Sequence, residues 1–247
     1  MIEVKKLNKK NYLDYEAFLN KFENTLIYHS VHFLNTLIQT FGFKQETIIL
    51  KKNNEIQAVL PLLSMEGELG SVFNSLPFFG SYGGIYSLNK TSYDNVVKVF
   101  NDLNLTNNFL SSTIIQNPFQ SFNKFDFSYT YEDQRIAQFT NIEFLSDHKE
   151  NLFKIFHSNT RRNIRKSEKF KIDIYIDINK INYLYELHKV DLLKKKGIFK
   201  PLKFFMNLIK IIPPENLKLF VAYIDGKFAG GLLLLYYNKT VEYFTPV

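Results

Sequence analysis

The sequence has 247 residues, no cysteine, 45% hydrophobic and 22% charged residues, and a formal net charge of +7. These values exclude a disordered or fibrous protein, a disulfide framework and catalysis by a cysteine nucleophile. The N-terminus lacks the apolar run of a signal peptide, and the longest apolar run, GLLLLYY from Gly231, is too short to span a bilayer. We therefore expect a cytoplasmic protein with one large globular domain or two small ones.

Helices and short strands are predicted for the first part of the chain. Apolar residues at Leu34, Leu37 and Phe41 recur at three- and four-residue spacing and predict a helix that ends at Gly42. Short apolar runs with hairpin-type breaks then predict an antiparallel meander over residues 46–73. Pro61 falls inside this meander, which indicates an edge position or a bulge.

A helix and two strands are predicted next. The stretch TSYDNVVKVFNDLNL predicts a helix with Val96 and Phe100 facing inward. The runs FLSSTIIQ and RIAQFTNIEF (residues 135–144) each predict a strand. Asp147 and Glu150 have the D-x-x-E spacing of a capping box, which predicts that a new helix starts there.

The second half repeats the order of elements of the first half, with helices before a three-stranded meander. A helix is predicted over about 179–196, and Pro201 suits the first turn of the next one. The Asp-Gly pair at 225–226, between two apolar runs, is the strongest hairpin signal in the chain. This order predicts two domains, residues 1–140 and residues 141–247.

Positive charge is concentrated between Lys149 and Lys171, where eight Lys or Arg residues stand against two Glu. Such a concentration indicates an anionic partner, for example a phosphate, a nucleic acid or a lipid surface. At helical spacing the side chains form a basic stripe that can grip phosphate, and the candidates are Arg161, Arg162, Arg165 and Lys166. The alternative is an ordinary solvated helix face, although such a face usually carries both signs of charge.

Four stretches of the sequence resemble the FemAB-like acyltransferases, a branch of the GNAT-type N-acyltransferases that includes peptidoglycan bridge-forming aminoacyltransferases. They occur in the family's order and cover most of the chain. The stretches are SLPFFGSYGGIY from Ser75, NTRRNIRKSEKFKIDI from Asn159, LYELHKVDLLKKKGIFKPLKFF from Leu184, and LFVAYIDGKFAGGLLLL from Leu219.

The resemblance implies an α/β (α+β) fold of two tandem GNAT-like domains with mainly antiparallel central sheets. Since family members continue beyond the position of Val247, it also implies that the second domain is C-terminally incomplete. The implied reaction is transfer of an acyl or aminoacyl group to an amine of a cell-wall or polysaccharide precursor. The donor would be acyl-CoA or aminoacyl-tRNA, and the acceptor a nucleotide- or lipid-linked precursor. The implied mechanism has no permanently bound cofactor, no metal and no covalent enzyme intermediate.

The glycine-rich stretch occupies the place where a GNAT fold presents backbone amides to a pyrophosphate. Glycines permit close approach of a ligand to the backbone, and the sequence lacks the R/Q-x-x-G-x-G/A pattern of coenzyme A binders. The resemblance therefore implies a site for a nucleotide-linked acceptor at Ser81, Tyr82, Gly83 and Gly84. The alternative is a glycine-rich turn whose aromatic residues simply pack.

Transfer to an amine needs a group that removes a proton and a donor that polarises the carbonyl oxygen. Strand amides of the fold serve the second need. For the first, His188 is the candidate general base, although its place between Leu184 and Leu192 on an apolar helix face is also that of an ordinary core residue. Nothing resembles a Ser-His-Asp triad, and the histidines lack zinc spacing.

Two further functions stay open. A non-catalytic protein that binds RNA, including tRNA, or a membrane surface would use the same basic segment. In that case changes at Gly83 and Gly84 would leave its function intact. An inactive fragment of a transferase would have an unpaired strand edge and poor solubility.

Overall fold

The computed structural model describes residues 2–75, 82–106, 109–119, 127, 129–134, 136–143 and 149–247. Its strands form three four-stranded sheets with helices packed against them, so the predicted mixed α/β class with mainly antiparallel sheets is confirmed.

The first sheet has the strand order β1-β3-β4-β7 and is antiparallel throughout. Its strands are β1 (Ile2–Lys6), β3 (Ile48–Lys52), β4 (Glu55–Leu60) and β7 (Tyr86–Ser87). Asn53 and Asn54 both have positive φ, 52° and 65°, as the tight turn between β3 and β4 requires. The predicted helix is α3 (Lys90–Thr106), which packs on this sheet and buries Val96 and Phe100 as expected.

The second sheet has the order β2-β5-β6-β8, and its β6 and β8 run parallel. Its strands are β2 (Lys44–Gln45), β5 (Leu63–Gly67), β6 (Gly70–Asn74) and β8 (Phe109–Thr113). The prediction of one meander over 46–73 is therefore wrong, because β3 and β4 lie in one sheet while β5 and β6 lie in another. The change occurs at Pro61, which has no N–H for a ladder, and the next amide, of Leu62, donates to the Thr47 hydroxyl at 3.1 Å.

The region between the two predicted domains differs from expectation. Residues 136–143 form no strand, so the prediction from RIAQFTNIEF is wrong for the part of that run that the structure describes. Two of its apolar side chains, Ile136 and Ile142, are exposed to solvent there. The predicted capping box at Asp147 lies outside the described residues.

The basic segment forms two helices rather than one, α4 (Lys149–Ile155) and α5 (Ser158–Ser167). His157 is the N-cap of α5, and its Nδ1 accepts a hydrogen bond from the Asn159 amide at 3.4 Å. The break after Ile155 separates the two helices, and α5 has no buried residue.

The third sheet is antiparallel with the order β12-β11-β10-β9. Its strands are β9 (Ile172–Ile176), β10 (Leu217–Ile224), β11 (Lys227–Tyr237) and β12 (Thr240–Pro246), and the helices α6 (Ile181–Lys194) and α7 (Leu202–Ile211) precede β10. The predicted hairpin at Asp225 and Gly226 is confirmed, with φ of 49° and 74°.

A single large core contains buried residues from both halves of the chain. Within it the N-terminal helices α1 (Tyr12–Leu19) and α2 (Val31–Phe41) share apolar contacts with the C-terminal elements. Helix α2, ended by Gly42 at φ 77° as predicted, packs against α7, and Asn207 Nδ2 donates to Thr40 Oγ1 at 3.0 Å between them. The boundary at residue 140 stays a prediction, and the two halves meet in a shared apolar core.

Candidate functional site

Strand β12 carries a β-bulge close to its end. Thr245 pairs with Leu233 and Tyr243 pairs with Leu234, so the register of the β11–β12 ladder skips Phe244. A bulge takes one residue out of regular ladder pairing and re-aims its backbone groups. A strand amide re-aimed in this way is the kind of donor that stabilises a developing oxyanion. The Phe244 ring is 8% exposed, so the bulge lies in the core between sheet and helices.

Glu242 stands two residues before the bulge and faces inward, opposite the fully buried Leu235. The Tyr28 hydroxyl donates to its Oε2 at 3.1 Å. Burial raises the pKa of this carboxyl above its ordinary value, and the hydrogen bond from Tyr28 opposes that shift. A half-buried carboxylate with a raised pKa is a stronger base than an exposed one and can take a proton from a bound amine.

The described part of the glycine-rich stretch approaches Glu242 from the first half of the chain. Burial raises the pKa of the Tyr82 phenol, and the charge of Glu242 raises it further, which places the two groups in one electrostatic environment. The Tyr82 ring lies 6.2 Å from that of Phe139. Tyr86, in contrast, is only 2% exposed, and its hydroxyl donates to the Asn24 carbonyl at 3.2 Å.

Gly83 and Gly84 lie tightly against neighbouring backbone. A Cβ added to Gly83 would lie 2.7 Å from Ser75 Oγ, and the Gly83 amide donates to the Ile115 carbonyl at 3.1 Å. Gly84 has φ +91°, and a Cβ there would lie 2.9 Å from the Asn117 amide nitrogen. These glycines therefore serve close packing of the chain on itself. Ser81, the fourth predicted residue of this site, lies outside the described residues, and the role of the stretch in binding an acceptor stays a prediction.

His29 is buried against this stretch. It is 0% exposed, its ring lies 4.6 Å from that of Tyr86, and neither ring nitrogen has a hydrogen-bonding partner. Burial lowers its pKa to about 4, and the nearby backbone of Gly83, Leu26 and Gly84 only partly offsets that shift. The imidazole is therefore neutral at physiological pH.

His188, the predicted base, lies on α6 and is 7% exposed. Its Nε2 accepts a hydrogen bond from the Lys200 backbone amide at 3.1 Å. Burial and the neighbouring Lys200 charge lower its pKa to about 4, while Asp191 opposes the shift. One ring nitrogen is thus used to hold the segment between α6 and α7, and catalysis by His188 stays a prediction.

Lys200 contacts His188 through its backbone amide and the bulged residue Phe244 through its side chain. Its Nζ lies 4.9 Å from the centroid of the Phe244 ring, and burial lowers its pKa to about 8. Sequence reasoning missed both Lys200 and Glu242. The available signals were a lysine directly before Pro201 and a lone acid inside the apolar strand TVEYFTP.

The four predicted basic residues of α5 differ in their surroundings. Arg161 Nη1 donates to the Phe156 carbonyl at 2.9 Å and to the Phe153 carbonyl at 3.4 Å, so its guanidinium caps the end of α4. Arg162, Arg165 and Lys166 are exposed. Helix α5 leads into β9, which is the edge of the third sheet opposite β12.

The described part of the chain has neither a metal-binding cluster nor a membrane-spanning helix. No cluster of His, Asp and Glu side chains there has an arrangement that could hold a metal ion. No helix among those residues combines the length and the apolar character needed to cross a bilayer.

The chain is similar to known proteins in two respects. Residues 155–247 match the profile of the family described as Acetyltransferase (GNAT) domain, and this region contains α5, Lys200, Glu242 and the bulge. The crystal structure of FemX has a similar fold, with 14% sequence identity and a TM-score of 0.61 over 89% of this chain and 57% of the FemX chain. No curated protein sequence matches the chain.

These matches bear on the family resemblance and on the reaction class. The chain spans 57% of the length of FemX, and at this identity the similarity is one of fold. The GNAT profile match supports the predicted acyltransferase class. The predicted resemblance is therefore confirmed: the chain is similar in fold to FemX, of the FemAB family, and its residues 155–247 match the GNAT acetyltransferase domain.

Proposed function

We propose that this protein is an N-acyltransferase whose reacting groups lie along β12. The observation that carries the proposal is the bulge at Phe244 beside the half-buried Glu242, in the part of the chain that matches the GNAT profile. The bulge provides a strand amide for the carbonyl oxygen, and the carboxylate provides a base.

The proposed reaction uses neither a metal nor an enzyme-bound intermediate. Glu242 removes a proton from the acceptor ammonium, and the free amine attacks the carbonyl carbon of the acyl donor. The backbone amide of Phe244 stabilises the oxyanion of the tetrahedral intermediate. Collapse of the intermediate forms the amide and expels the thiol or hydroxyl of the donor, which takes up a proton.

The donor favoured by the GNAT profile is an acyl thioester of coenzyme A. Aminoacyl-tRNA is the second candidate, and the exposed Arg162, Arg165 and Lys166 suit its phosphates. We propose the stretch that contains Ser81, Tyr82, Gly83 and Gly84 as the acceptor side, because Tyr82 shares the environment of Glu242. The acceptor is then an amine of a nucleotide- or lipid-linked cell-wall or polysaccharide precursor. Binding at a membrane surface in the cytoplasm would give access to a lipid-linked form.

Thiol release provides a direct test. The chain has no cysteine, so a thiol reagent reports only the coenzyme A set free from an acyl-CoA panel in the presence of primary amines. Glu242→Gln keeps an oxygen for the Tyr28 hydroxyl but removes the base, and we expect kcat to fall by about 10²- to 10⁴-fold. Glu186→Gln, an exposed position on α6, is the matched control and should behave as wild type. Equal rates for Glu242→Gln and wild type would overturn the proposal, and no thiol release with any acyl-CoA would rule out a coenzyme A donor.

The exposed basic face favours one other function, binding of RNA without catalysis. Neutralising Arg162, Arg165 and Lys166 together should then weaken binding of a generic single-stranded RNA and reduce its salt dependence by about three phosphate contacts. If that variant loses RNA binding while the wild type transfers an acyl group from neither acyl-CoA nor aminoacyl-tRNA, the binding function replaces the transferase. If thiol release depends on Glu242, the basic face serves the donor.

A further inference from the structure

The two faces of the third sheet differ in how well they are covered. Strand residues that lie directly opposite each other point to the same side, so the register assigns each side chain to a face. The inner face contains Leu219 and Leu233, which are fully buried in the large core together with residues of α6 and α7. The outer face contains Phe220 and Leu232, which pair on the same two central strands and are only partly buried. The outer face is therefore open to solvent where the inner face is packed.

The outer face is apolar from one edge strand to the other. On β9, Ile174 and Ile176 are 65% and 59% exposed, and on β12 Val241 and Tyr243 are 48% and 68% exposed. Their partners on the central strands, in the same order, are Ala222, Phe220, Tyr236 and Leu234. An exposed apolar area that extends across a whole sheet marks an interaction surface.

The charged strand positions of the outer face are both basic. They are Lys218 and Lys227, and both are exposed. The acids within these four fully described strands, Asp173 and Glu242, lie on the inner face, and Asp225 lies in the turn between β10 and β11. Two copies packed through this face would leave the lysines without acids to pair with. An apolar face with this charge instead suits an anionic partner.

The basic segment adjoins this face at one end of the sheet. Lys169, Phe170 and Lys171 lead from α5 into β9, and all three are exposed. The Lys171 carbonyl accepts a hydrogen bond from the Asp225 amide at 3.3 Å, which places these residues beside the β10–β11 turn and the adjoining Lys227. Positive charge therefore continues beyond the edge of the apolar area.

We propose that the outer face of the third sheet docks on an anionic lipid bilayer. The apolar side chains enter the boundary between headgroups and acyl chains, and the lysines contact the negative headgroups. Tyr243 and Phe170 supply the aromatic rings that favour this depth. The protein then lies on the bilayer without crossing it. Docking uses the face opposite Glu242, so it does not depend on the proposed transferase function.

The aliphatic character of the face favours lipid over single-stranded RNA. Proteins that bind RNA without sequence preference combine basic residues with aromatic rings on which bases stack. Ile174 and Ile176, which lie nearest to the basic segment, have no ring. Their side chains do match the acyl chains of a lipid.

The first measurement is binding of the whole protein to vesicles. Co-sedimentation compares phosphatidylcholine vesicles with vesicles that also contain about 30% phosphatidylserine. We expect binding to the anionic vesicles that weakens as the salt concentration is raised. Lys218→Gln together with Lys227→Gln should weaken it by about 30-fold, since each lysine near such a surface contributes about fivefold. Equal binding to both kinds of vesicle, or binding to neither, overturns the proposal.

The second measurement tests the apolar contact. Ile174→Thr together with Ile176→Thr keeps β-branched residues on β9 and should weaken binding by about tenfold or more. Tyr175→Thr is the matched control, because its side chain is 56% exposed on the same strand but belongs to the inner face. It should bind as wild type does, and thermal unfolding shows whether each variant is folded. If the isoleucine variant binds as tightly as the control, the outer face is not the docking surface.

The third measurement needs no weakened variant. The chain has no tryptophan, so a single introduced indole reports only its own surroundings. With anionic vesicles we expect the emission of Tyr243→Trp to shift to shorter wavelength and to be quenched by brominated lipid, while Tyr175→Trp changes in neither respect. If the protein binds vesicles but the Tyr243→Trp emission stays the same, the basic segment alone makes the contact and the proposal is wrong.

Other occupants of the face give different results. If the wild type self-associates without vesicles and the Ile174→Thr, Ile176→Thr variant is monomeric, the outer face joins two copies and lipid docking is wrong. If the wild type binds single-stranded RNA and no vesicle, the basic segment serves nucleic acid and lipid docking is again wrong. Acyl transfer and its dependence on Glu242 are measured without vesicles. Failure of docking is therefore distinguishable from failure of the transferase function.

Discussion

The buried His29 makes a quantitative prediction about stability in acid. Its folded-state pKa is about 4, whereas an unfolded chain has the ordinary value of 6.5. As the pH falls below 6.5, the unfolded chain binds a proton that the native state does not bind until about pH 4. The free energy of unfolding therefore falls over this window, by about 1.4 kcal/mol per pH unit and about 3 kcal/mol in all. This contribution is fully present above pH 6.5.

His29→Phe is the variant that isolates this contribution. Neither ring nitrogen of His29 makes a hydrogen bond of regular geometry, and the backbone of Gly83, Leu26 and Gly84 lies near them, so a phenyl ring can keep the edge contact with Tyr86 at little cost in hydrogen bonding. We expect the variant to lose about 3 kcal/mol less than wild type between pH 7 and pH 4. Equilibrium urea unfolding at a series of pH values measures this difference, and titration of other groups cancels between the two proteins.

The control is His32→Phe, which removes a half-exposed histidine three residues away. The reasoning is refuted if wild type and His29→Phe lose the same free energy over the interval. It is equally refuted if the difference develops above pH 6.5, because the protonation of an unfolded histidine cannot produce it there.

Two further predictions concern positions near the candidate site. Gly84 and Gly42 both have positive φ, so an alanine at either position costs about 1–2 kcal/mol. Only at Gly84 does backbone also lie 2.9 Å from the added Cβ. Gly84→Ala should therefore lower the melting temperature more than Gly42→Ala. Equal effects would show that packing against Asn117 adds nothing. Arg161→Ala should destabilise the protein by about 1–3 kcal/mol, as expected for loss of charged hydrogen bonds, while Arg162→Ala leaves its stability unchanged and weakens only anion binding. Thermal unfolding and salt-dependent binding measure the two effects separately.

Much of the fold follows from local sequence signals. The inward spacing of Val96 and Phe100 predicted α3, and the Asp-Gly pair at 225–226 predicted the β10–β11 hairpin, because each depends on residues close in sequence. The division of the meander into two sheets was missed. The chain changes sheets at Pro61, and a proline in a strand pattern also fits an edge or a bulge.

The candidate site was harder to predict, because its groups come together through long-range contacts. Glu242 acquires a raised pKa from burial beneath elements of the first half, and its hydrogen-bonding partner Tyr28 is 214 residues away in sequence. Nothing in TVEYFTP distinguishes it from an acid on the solvent side of a strand. The composition of the sequence was enough to locate the basic segment. Only the structure shows that Arg161 caps α4 while Arg162 is exposed.

The contacts between the two halves bear on how the site works. Thr240 Oγ1 donates to the Thr25 carbonyl at 3.1 Å, and the Tyr237 hydroxyl donates to Glu16, so both ends of the β11–β12 turn are tied to the first half. Both contacts lie at the turn that precedes Glu242, and Glu242 itself accepts from the Tyr28 hydroxyl of the first half. A base on the GNAT-matching part of the chain thus has a hydrogen-bonding partner, Tyr28, that lies outside that part, and this hydrogen bond opposes the rise of its pKa. Residues 155–247 alone would lack the Tyr28 hydroxyl, so the carboxylate would lose a donor that stabilises its charged form. The first half therefore acts on the chemistry of the second half directly, through a hydrogen bond to its carboxylate.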